Sequence, residues 1–363
     1  MSYLLAFLGF IALIVLHEAG HFTAAKLVGM RVEKFSLFFG PMFVKKRIGE
    51  TEYGIGPIPL GGYVKITGMN PNEELSPEAE RRAYYNQKVW KRVVVILAGP
   101  AVNIAVAFII IWALFLANGQ TVMSHGQPVP STRIAAVTAA PAARALKTGD
   151  QIVSVDGVNR SFDAIRAQLA THRCAGRQVN GCVAATPAAV VVRRDGRLIT
   201  FSLRPIYSAA SKRPLLGFEF GNRQQAVGPG KAATLTVTGL WDVTKRTVSV
   251  IVRVFEPQER KQLHGVVGGY TVAQESFSHS VTQALEVLAL ISLSLGIINL
   301  FPFLPLDGGH VFWAVAEKIR GKRIPFSVME RAGAVGFVLI ILIFVIGLSN
   351  DISTLTGKGF NVP

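Results

Sequence analysis

The stretch LHEAGH, residues 16–21, carries three side chains that could bind a metal ion and use it in hydrolysis. His17 and His21 are four positions apart, so on a helix their imidazoles share one face and lie about 6 Å apart along the axis. This spacing lets both rings reach one tetrahedral zinc ion, with Glu18 beside the ion as a base. A catalytic zinc needs a third protein ligand and an open position for water, so another part of the chain must supply that ligand.

The preferred third ligand is Asp307, in the motif NLFPFLPLDGGH. It follows the third long apolar segment and is expected on the side of the membrane that His17 reaches after about 24 Å of helix. His310 is the alternative ligand. Asp307 is favoured because the glycines after it and the prolines before it interrupt the helix next to it.

Both motifs also have simpler explanations. HEAGH could be an accidental pattern where a helix end meets the headgroups, and Asp307 could be an ordinary turn residue before glycine. An ionisable group at the centre of a bilayer costs about 2.5–3.5 kcal/mol on insertion scales. Two histidines and a glutamate in one apolar helix are therefore better explained by a function.

The elements that must position these residues are apolar helices. Half of the 363 residues are hydrophobic and only 17% are charged, a balance that is typical of membrane proteins. A helix needs about 20 apolar residues to cross the hydrocarbon core. We therefore predict four transmembrane helices, at residues 1–27, 92–118, 283–310 and 331–349. The first lacks a basic start and a convincing cleavage site, so it is read as a retained helix rather than a signal peptide.

The distribution of Lys and Arg predicts the orientation. The segment between the first two helices and the short loop between the last two are rich in basic residues, which places both on the cytoplasmic side. The site is then near the cytoplasmic side, and the large middle region is extracytoplasmic. The formal charge of +16 is explained by contacts with anionic lipid, and no nucleic-acid partner is expected.

The polar regions have their own patterns. Residues 28–91 alternate apolar and polar side chains between glycines and prolines, which predicts a membrane-associated β-hairpin on the cytoplasmic side. Residues 128–208, with ALKTGDQIVSVDG, resemble a PDZ domain, a fold that binds peptides at a sheet edge; a generic small α/β domain is the alternative. Residues 209–282 are predicted to be a linker and an amphipathic helix on the membrane surface.

The only two cysteines, Cys174 and Cys182, both fall in the predicted extracytoplasmic domain. An oxidising exterior favours a disulfide between them over two free thiols.

Taken together, these motifs resemble the site-2 protease family of intramembrane zinc metalloproteases, in the bacterial RseP-like group. The likeness covers nearly the whole chain and rests on HEAGH, FFGP, GGYVKITGM, AGPAVN, the PDZ-like insertion and LGIINLFPFLPLDGGH. Two features depart from the family pattern: there is room for one PDZ domain rather than a pair, and PFLP spaces its prolines differently from the common PxP.

The resemblance implies roles for particular residues. His17, His21 and Asp307 would bind zinc, and Glu18 would be the catalytic acid and base. Asn299 would orient the substrate backbone or support the site. The residues implied to contact or support the substrate on the β segment are Gly61, Gly62 and Tyr63.

The implied activity is hydrolysis of peptide bonds within transmembrane segments, in a bacterial inner membrane. Trimmed anti-sigma factors and remnant signal peptides are the implied substrates, and the PDZ-like domain would bind a peptide or domain partner. Two other classes of function stay open at this stage: a membrane-anchored PDZ adaptor with a structural zinc, and a metal transporter. The transporter is disfavoured because the other apolar segments offer almost no ionisable groups for an ion path.

Overall fold

The structure is a computed structural model that describes residues 2–70, 73–159, 161–253, 256 and 265–357. It consists of two compact units: Met1–Leu114 together with Pro229–Pro363, and Phe115–Gly228. In chain order the helices are α1 (Ser2–Leu27), α2 (Pro77–Arg81), α3 (Val89–Asn118), α4 (Phe162–Ala170), α5 (Pro229–Val252), α6 (Val266–His279), α7 (Val281–Asn299), α8 (Asp307–Arg320) and α9 (Phe326–Thr356).

Four of these helices, α1, α3, α7 and α9, are long and apolar enough to cross a membrane. Their most apolar windows have mean hydropathies of 1.9 to 2.7, yet only 11% to 39% of the residues in those windows are buried within the protein. A water-soluble helix would cover such a surface with other parts of the chain. The exposed apolar side chains are therefore expected to face lipid.

The third apolar helix ends earlier than the predicted span of 283–310, which was wrong at its C-terminal end. α7 ends at Asn299, and α8 begins only at Asp307. The prolines at 302 and 305 explain the break, because proline lacks the N–H that a continuous helix needs and also restricts the residue before it. The last helix, α9, is longer at both ends than the predicted 331–349.

The segment between α1 and α3 forms a four-stranded sheet rather than a single hairpin. Its strands are β1 (Val32–Phe39), β2 (Val44–Ile48), β3 (Thr51–Ile55) and β4 (Ile58–Ile66), in the order β2-β3-β1-β4. β2 and β3 form the hairpin, whereas β1 pairs with β3 in parallel and with β4 antiparallel. β4 is consequently an edge strand.

A shared core joins this sheet to α1 and α3. The buried side chains of the core come from α1, the sheet and its flanking turns, and α3; they include Ala25, Met30, Ile66 and Val95. Ala25, Met30 and Val95 have no measurable exposure. The sheet is thereby packed against the half of α1 that carries HEAGH.

The second unit is a β-rich domain. Its main strands are β8 (Pro130–Val137), β9 (Gln151–Val155), β10 (Ala188–Arg194), β11 (Arg197–Leu203) and β14 (Phe218–Asn222), in the antiparallel order β11-β10-β9-β8-β14. The shorter strands are β5 (Gln120–Thr121), β6 (Met123–Ser124), β7 (Gln127–Pro128), β12 (Ile206–Ser208), β13 (Arg213–Leu215) and β15 (Gln224–Gln225). α4 buries Ile165 and Leu169 in the core of this unit. Cys174 and Cys182 are joined by a disulfide.

The predicted boundary between this domain and a linker at residue 208 was wrong. β14 pairs antiparallel with β8 and completes the main sheet, so residues 213–225 belong to the folded unit. The two strands are far apart in the chain, and such pairing leaves no local pattern. Helices α5 and α6 follow within the region predicted as linker and surface helix, while residues 257–264 of that region lie outside the described residues.

Candidate metal centre

The second half of α1 and the first residue of α8 bring three possible metal ligands together. The Nε2 atoms of His17 and His21 lie 3.2 Å apart, and each lies 3.3 Å from Asp307 Oδ2. A tetrahedral zinc ion with ligand distances of about 2.0–2.1 Å separates its ligand atoms by about 3.3–3.4 Å. The three atoms therefore have the spacing of three corners of a zinc tetrahedron.

The polar atoms of the site also fit a cation. Asp307 Oδ2 is buried and has no hydrogen-bond partner, which is costly for a carboxylate oxygen unless a positive charge satisfies it. Both histidines are only 7% exposed. Two imidazoles and one carboxylate are a common catalytic donor set for zinc, and they leave a fourth position open.

His310, the alternative ligand, is not part of this group. It follows Asp307 on α8 and is half-buried. Within the described part of the chain, the possible metal ligands whose donor atoms all lie within 4.8 Å of one another are those of His17, His21 and Asp307. The geometry thus favours Asp307 over His310 as the third ligand.

Glu18 lies between this centre and the edge strand β4. A Cβ atom added to Gly62 would lie 2.9 Å from Glu18 Cγ. Gly61, at φ +147°, has a backbone conformation that side chains disfavour. Tyr63 stacks on Phe39, with ring centroids 6.1 Å apart. Of the three predicted β4 residues, Gly62 therefore packs against the predicted base, while Gly61 and Tyr63 pack against Phe39.

Asn299, at the end of α7, also reaches the centre. Its Nδ2 atom lies 3.5 Å from His17 Nε2. The amide is therefore next to one of the three side chains that would hold a metal ion. It is suitably placed to contact a bound substrate or to support the ligands.

Residue spacing in the sequence does not predict that α3 contacts both histidines. His21 Nδ1 lies 2.9 Å from the carbonyl oxygen of Val95, and His17 Nδ1 lies 3.2 Å from Asn103 Nδ2. Gly99, between them, packs directly on the His21 ring, where any added Cβ atom would overlap the imidazole. Asn103 is the last residue of the AGPAVN motif, which was its only signal in the sequence.

The sequence model of Peptidase family M50 matches residues 5–343. The chain belongs to peptidase family M50. The resemblance to site-2 proteases is thus confirmed, and the protein is a zinc-dependent metallopeptidase.

Curated relatives carry names that agree with membership of family M50. Zinc metalloprotease Rip1 of Mycobacterium tuberculosis is 33% identical over 350 residues, which cover 85% of this chain and 83% of the relative. A putative zinc metalloprotease of Brucella suis is 31% identical over 365 residues, covering 93% of this chain and 92% of the relative. A putative zinc metalloprotease of Clostridium acetobutylicum is 27% identical and covers 96% of both chains.

For an M50 peptidase this arrangement indicates separate roles for a bound zinc ion, for its three ligands and for Glu18. The chemistry that a bound zinc ion supplies is Lewis acidity, toward a water and toward the scissile carbonyl. His17, His21 and Asp307 would hold the ion. The Glu18 carboxylate would take a proton from the attacking water and deliver it to the leaving amine.

Proposed function

We propose that this M50 peptidase hydrolyses peptide bonds within transmembrane segments of other membrane proteins. The observation that carries the proposal is the location of the three donor atoms: two lie on α1, an apolar helix long enough to span the membrane, about 22 Å from its first residue. A site at that depth is reached by a substrate within the bilayer. A soluble peptide would reach it less readily.

A substrate helix must be unwound before it is cut, because its carbonyls are hydrogen-bonded and shielded. We propose that β4 holds the unwound segment as an added strand. β4 is the edge of its sheet, and its Gly62 packs against Glu18. A strand that pairs with this edge would lie next to the catalytic residues. The alternative is that the sheet only packs beneath the helices.

The proposed orientation places the sheet and the loop after α8 in the cytoplasm. The loop contacts the turn that follows the sheet and precedes α3, since Arg323 donates to Asn86 Oδ1 at 2.8 Å and lies over the ring of Tyr85. Both therefore lie on one side of the membrane. Their Lys and Arg content favours the cytoplasmic side of a bacterial inner membrane, with residues 119–228 outside. Reporter fusions after residues 70 and 119 should give opposite locations; the same location for both would contradict this orientation.

The PDZ-like domain is proposed to bind a peptide along β14, the edge of the five-stranded sheet. Phe162 at the start of α4 packs edge-to-face on Phe220 of β14, with centroids 4.8 Å apart, and could form the floor of a groove. Arg213 is half-buried, and its Nε atom has no hydrogen-bond partner. Burial, and then the nearby charge of Arg166, lowers the pKa of Arg213. Two cations in this position favour a peptide with a free or acidic C-terminus.

This partner class can be tested with peptides that differ in one group. A peptide with a free C-terminal carboxylate should bind the full chain more tightly than the same peptide with a C-terminal amide, and Arg213→Leu should remove the difference. Arg197→Leu, an exposed arginine on the opposite edge strand, is the control. Equal binding of both peptides would exclude the carboxylate site.

The proposed substrates are single-span proteins already trimmed outside the membrane, such as anti-sigma factors, and remnant signal peptides. These classes follow from the family resemblance. Comparing membrane proteomes of cells with wild-type protein and with Glu18→Gln should reveal a short membrane-bound fragment that accumulates only in the variant. Its identity would choose between the two classes.

The activity itself is tested with purified protein in lipid vesicles and a synthetic transmembrane peptide. Cleavage within the apolar segment, mapped by mass spectrometry, should depend on zinc and be absent in Glu18→Gln. Cleavage that persists after complete chelation, or that falls only in the soluble flanks of the peptide, would contradict intramembrane proteolysis.

Strand addition at β4 makes a separate prediction about the substrate. N-methylation of single peptide bonds near the cleavage site should reduce cleavage strongly at alternate positions, because only every second N–H of a strand faces a given neighbour. Each methylated peptide is compared with one methylated in a flank. A uniform effect along the segment would argue that β4 does not pair with the substrate.

A further inference from the structure

Helix α3 contributes no metal ligand, yet it contacts the second ring nitrogen of both histidines. His21 Nδ1 lies 2.9 Å from the carbonyl oxygen of Val95. His17 Nδ1 lies 3.2 Å from the side-chain amide of Asn103. Both contacts are buried, so no solvent competes for them. The orientation of each ring therefore depends on α3.

The chemistry of imidazole specifies what these nitrogens need. The Nε2 atoms face each other and Asp307, so they are the atoms that would donate a lone pair to a metal ion. A neutral imidazole that ligates through Nε2 carries its proton on Nδ1, and this N–H requires an acceptor. For His21 the acceptor is the Val95 carbonyl, whose second lone pair is available in addition to any helix bond.

For His17 the acceptor must come from Asn103. This side chain is completely buried, and its Oδ1 atom has no hydrogen-bond partner, while Nδ2 faces His17 Nδ1. Amide oxygen and nitrogen have nearly the same size, so a half-turn about the Cβ–Cγ bond exchanges them without displacing neighbours. The oxygen then accepts from His17 Nδ1, and the Nδ2 group takes the buried position in which Oδ1 has no hydrogen-bond partner.

The backbone of Asn103 is itself held by α7. Ser292 Oγ donates to the Asn103 carbonyl oxygen at 2.9 Å, and both residues have no measurable exposure. Gly296, one turn further along α7, lets this helix approach so closely that an added Cβ atom would lie 3.4 Å from Asn103 Cβ. The amide is thus fixed opposite His17 by the packing of two apolar helices.

We propose that Asn103 is a positioning residue of the metal centre. Its side-chain oxygen accepts the Nδ1 proton of His17 and keeps the Nε2 lone pair directed at the zinc position. Outer partners of this kind typically contribute 10- to 100-fold to metal affinity. The proposal rests on His17 being a zinc ligand, as the proposed function assumes.

The test measures zinc affinity rather than proteolysis. Full-length protein in detergent is titrated with zinc against a competing chelator, for wild type, Asn103→Leu and Asn103→Asp. Leucine has a similar size but cannot accept a hydrogen bond, so we expect affinity to fall 10- to 100-fold. The aspartate variant retains an acceptor oxygen and should bind zinc much more tightly than the leucine variant. Thr236→Ala is the control and should bind like wild type, because it removes a buried hydroxyl on α5 that donates only to the carbonyl oxygen of Ala232 in its own helix.

Substitution of cobalt for zinc gives a second readout. The visible absorption bands of Co²⁺ report the ligand geometry, so they should change in Asn103→Leu and stay close to wild type in Asn103→Asp and Thr236→Ala. Unchanged affinity and spectrum in the leucine variant would overturn the proposal. So would an aspartate variant that is folded yet binds zinc as weakly as the leucine variant. If the leucine variant does not fold, the aspartate variant is compared with wild type instead, and a folded aspartate variant whose zinc affinity is 10- to 100-fold below wild type would overturn the proposal.

His17→Ala, measured in parallel, separates this proposal from the one on which it rests. If His17→Ala retains full zinc affinity, the proposed ligand set is wrong. If His17→Ala loses zinc while Asn103→Leu binds normally, the ligand set stands and only the role of Asn103 fails.

Discussion

Arg92 at the start of α3 donates to the carboxylate of Glu317 on α8 across 2.6 Å, and these side chains are only 10% and 13% exposed. The pair joins the helix that contacts both histidines to the helix that begins with Asp307. Glu317 also accepts from the backbone N–H of Ile324 at 3.3 Å, so it holds the turn after α8. This ion pair therefore holds together the two helices, α3 and α8, that position the three candidate ligands.

Glu317→Ala should reduce both stability and zinc affinity. Removing one partner of a buried pair leaves the other charge unpaired, which costs about 3–5 kcal/mol. Asp307 would also lose an anchor ten positions along its helix. The free energy of unfolding in detergent and a zinc titration measure the two effects. Asp242→Ala, in the exposed pair with Lys245, should change stability by less than about 1 kcal/mol; equal effects of the two substitutions would show that the Arg92 pair has no special role.

Glu18→Gln and His17→Ala should fail in different ways. The glutamine keeps the size of Glu18 but cannot accept a proton, so zinc should still bind while turnover falls by about 100- to 10,000-fold. The alanine removes a donor atom, so the metal itself should be lost. Zinc content by mass spectrometry, measured beside peptide cleavage, distinguishes the two. Full cleavage by Glu18→Gln would contradict its assignment as the base.

Gly99→Ala should weaken zinc binding without any change of charge or polarity. A Cβ atom at this position would overlap the His21 ring, and the ring cannot move while its Nδ1 is bonded to Val95. In an ordinary helix the same substitution stabilises by about 1 kcal/mol. Gly239→Ala on α5, where nothing lies within 4 Å, is the matched control. Zinc affinity measured by chelator competition should fall only for Gly99→Ala, and normal binding by that variant would show that the ring can be displaced.

The ligand set could be predicted from the sequence because each part leaves a local signal. Helical periodicity places His17 and His21 on one face, and the order of apolar segments brings Asp307 to the same side. The zinc-dependent peptidase chemistry followed from these residues and is confirmed by family membership. The individual roles of the three ligands stay predictions.

The supports of the site could not be predicted in this way. The Val95 carbonyl belongs to the backbone and has no signature in the side-chain pattern. Arg92, at the start of an apolar segment, is explained equally well by the positive-inside rule. The parallel pairing of β1 with β3 and the pairing of β14 with β8 join distant segments, and a local alternation of apolar and polar residues does not specify its partner.

Glu50, in the turn between β2 and β3, is expected to make the free energy of unfolding depend on pH. Its carboxylate accepts from Arg82 at 2.7 and 2.9 Å and from Lys26 at 2.5 Å, which ties the sheet to the end of α1. The hydrogen bonds from Arg82, and then those from Lys26, lower the pKa of Glu50 from its usual 4.5 to about 2.

The sign of the effect follows from proton binding. Between pH 4.5 and about 2 the unfolded chain binds a proton at Glu50 that the folded chain does not, so this group's contribution is complete above pH 4.5 and is lost as the pH falls toward 2. We expect Glu50→Gln to lower the free energy of unfolding by on the order of 2 kcal/mol near neutral pH, after allowance for solvent screening. The difference from wild type should shrink steadily below pH 4.5. Glu74→Gln, at an exposed position, is the control. A difference that is constant across this pH range would show that Glu50 contributes through packing rather than through its charge.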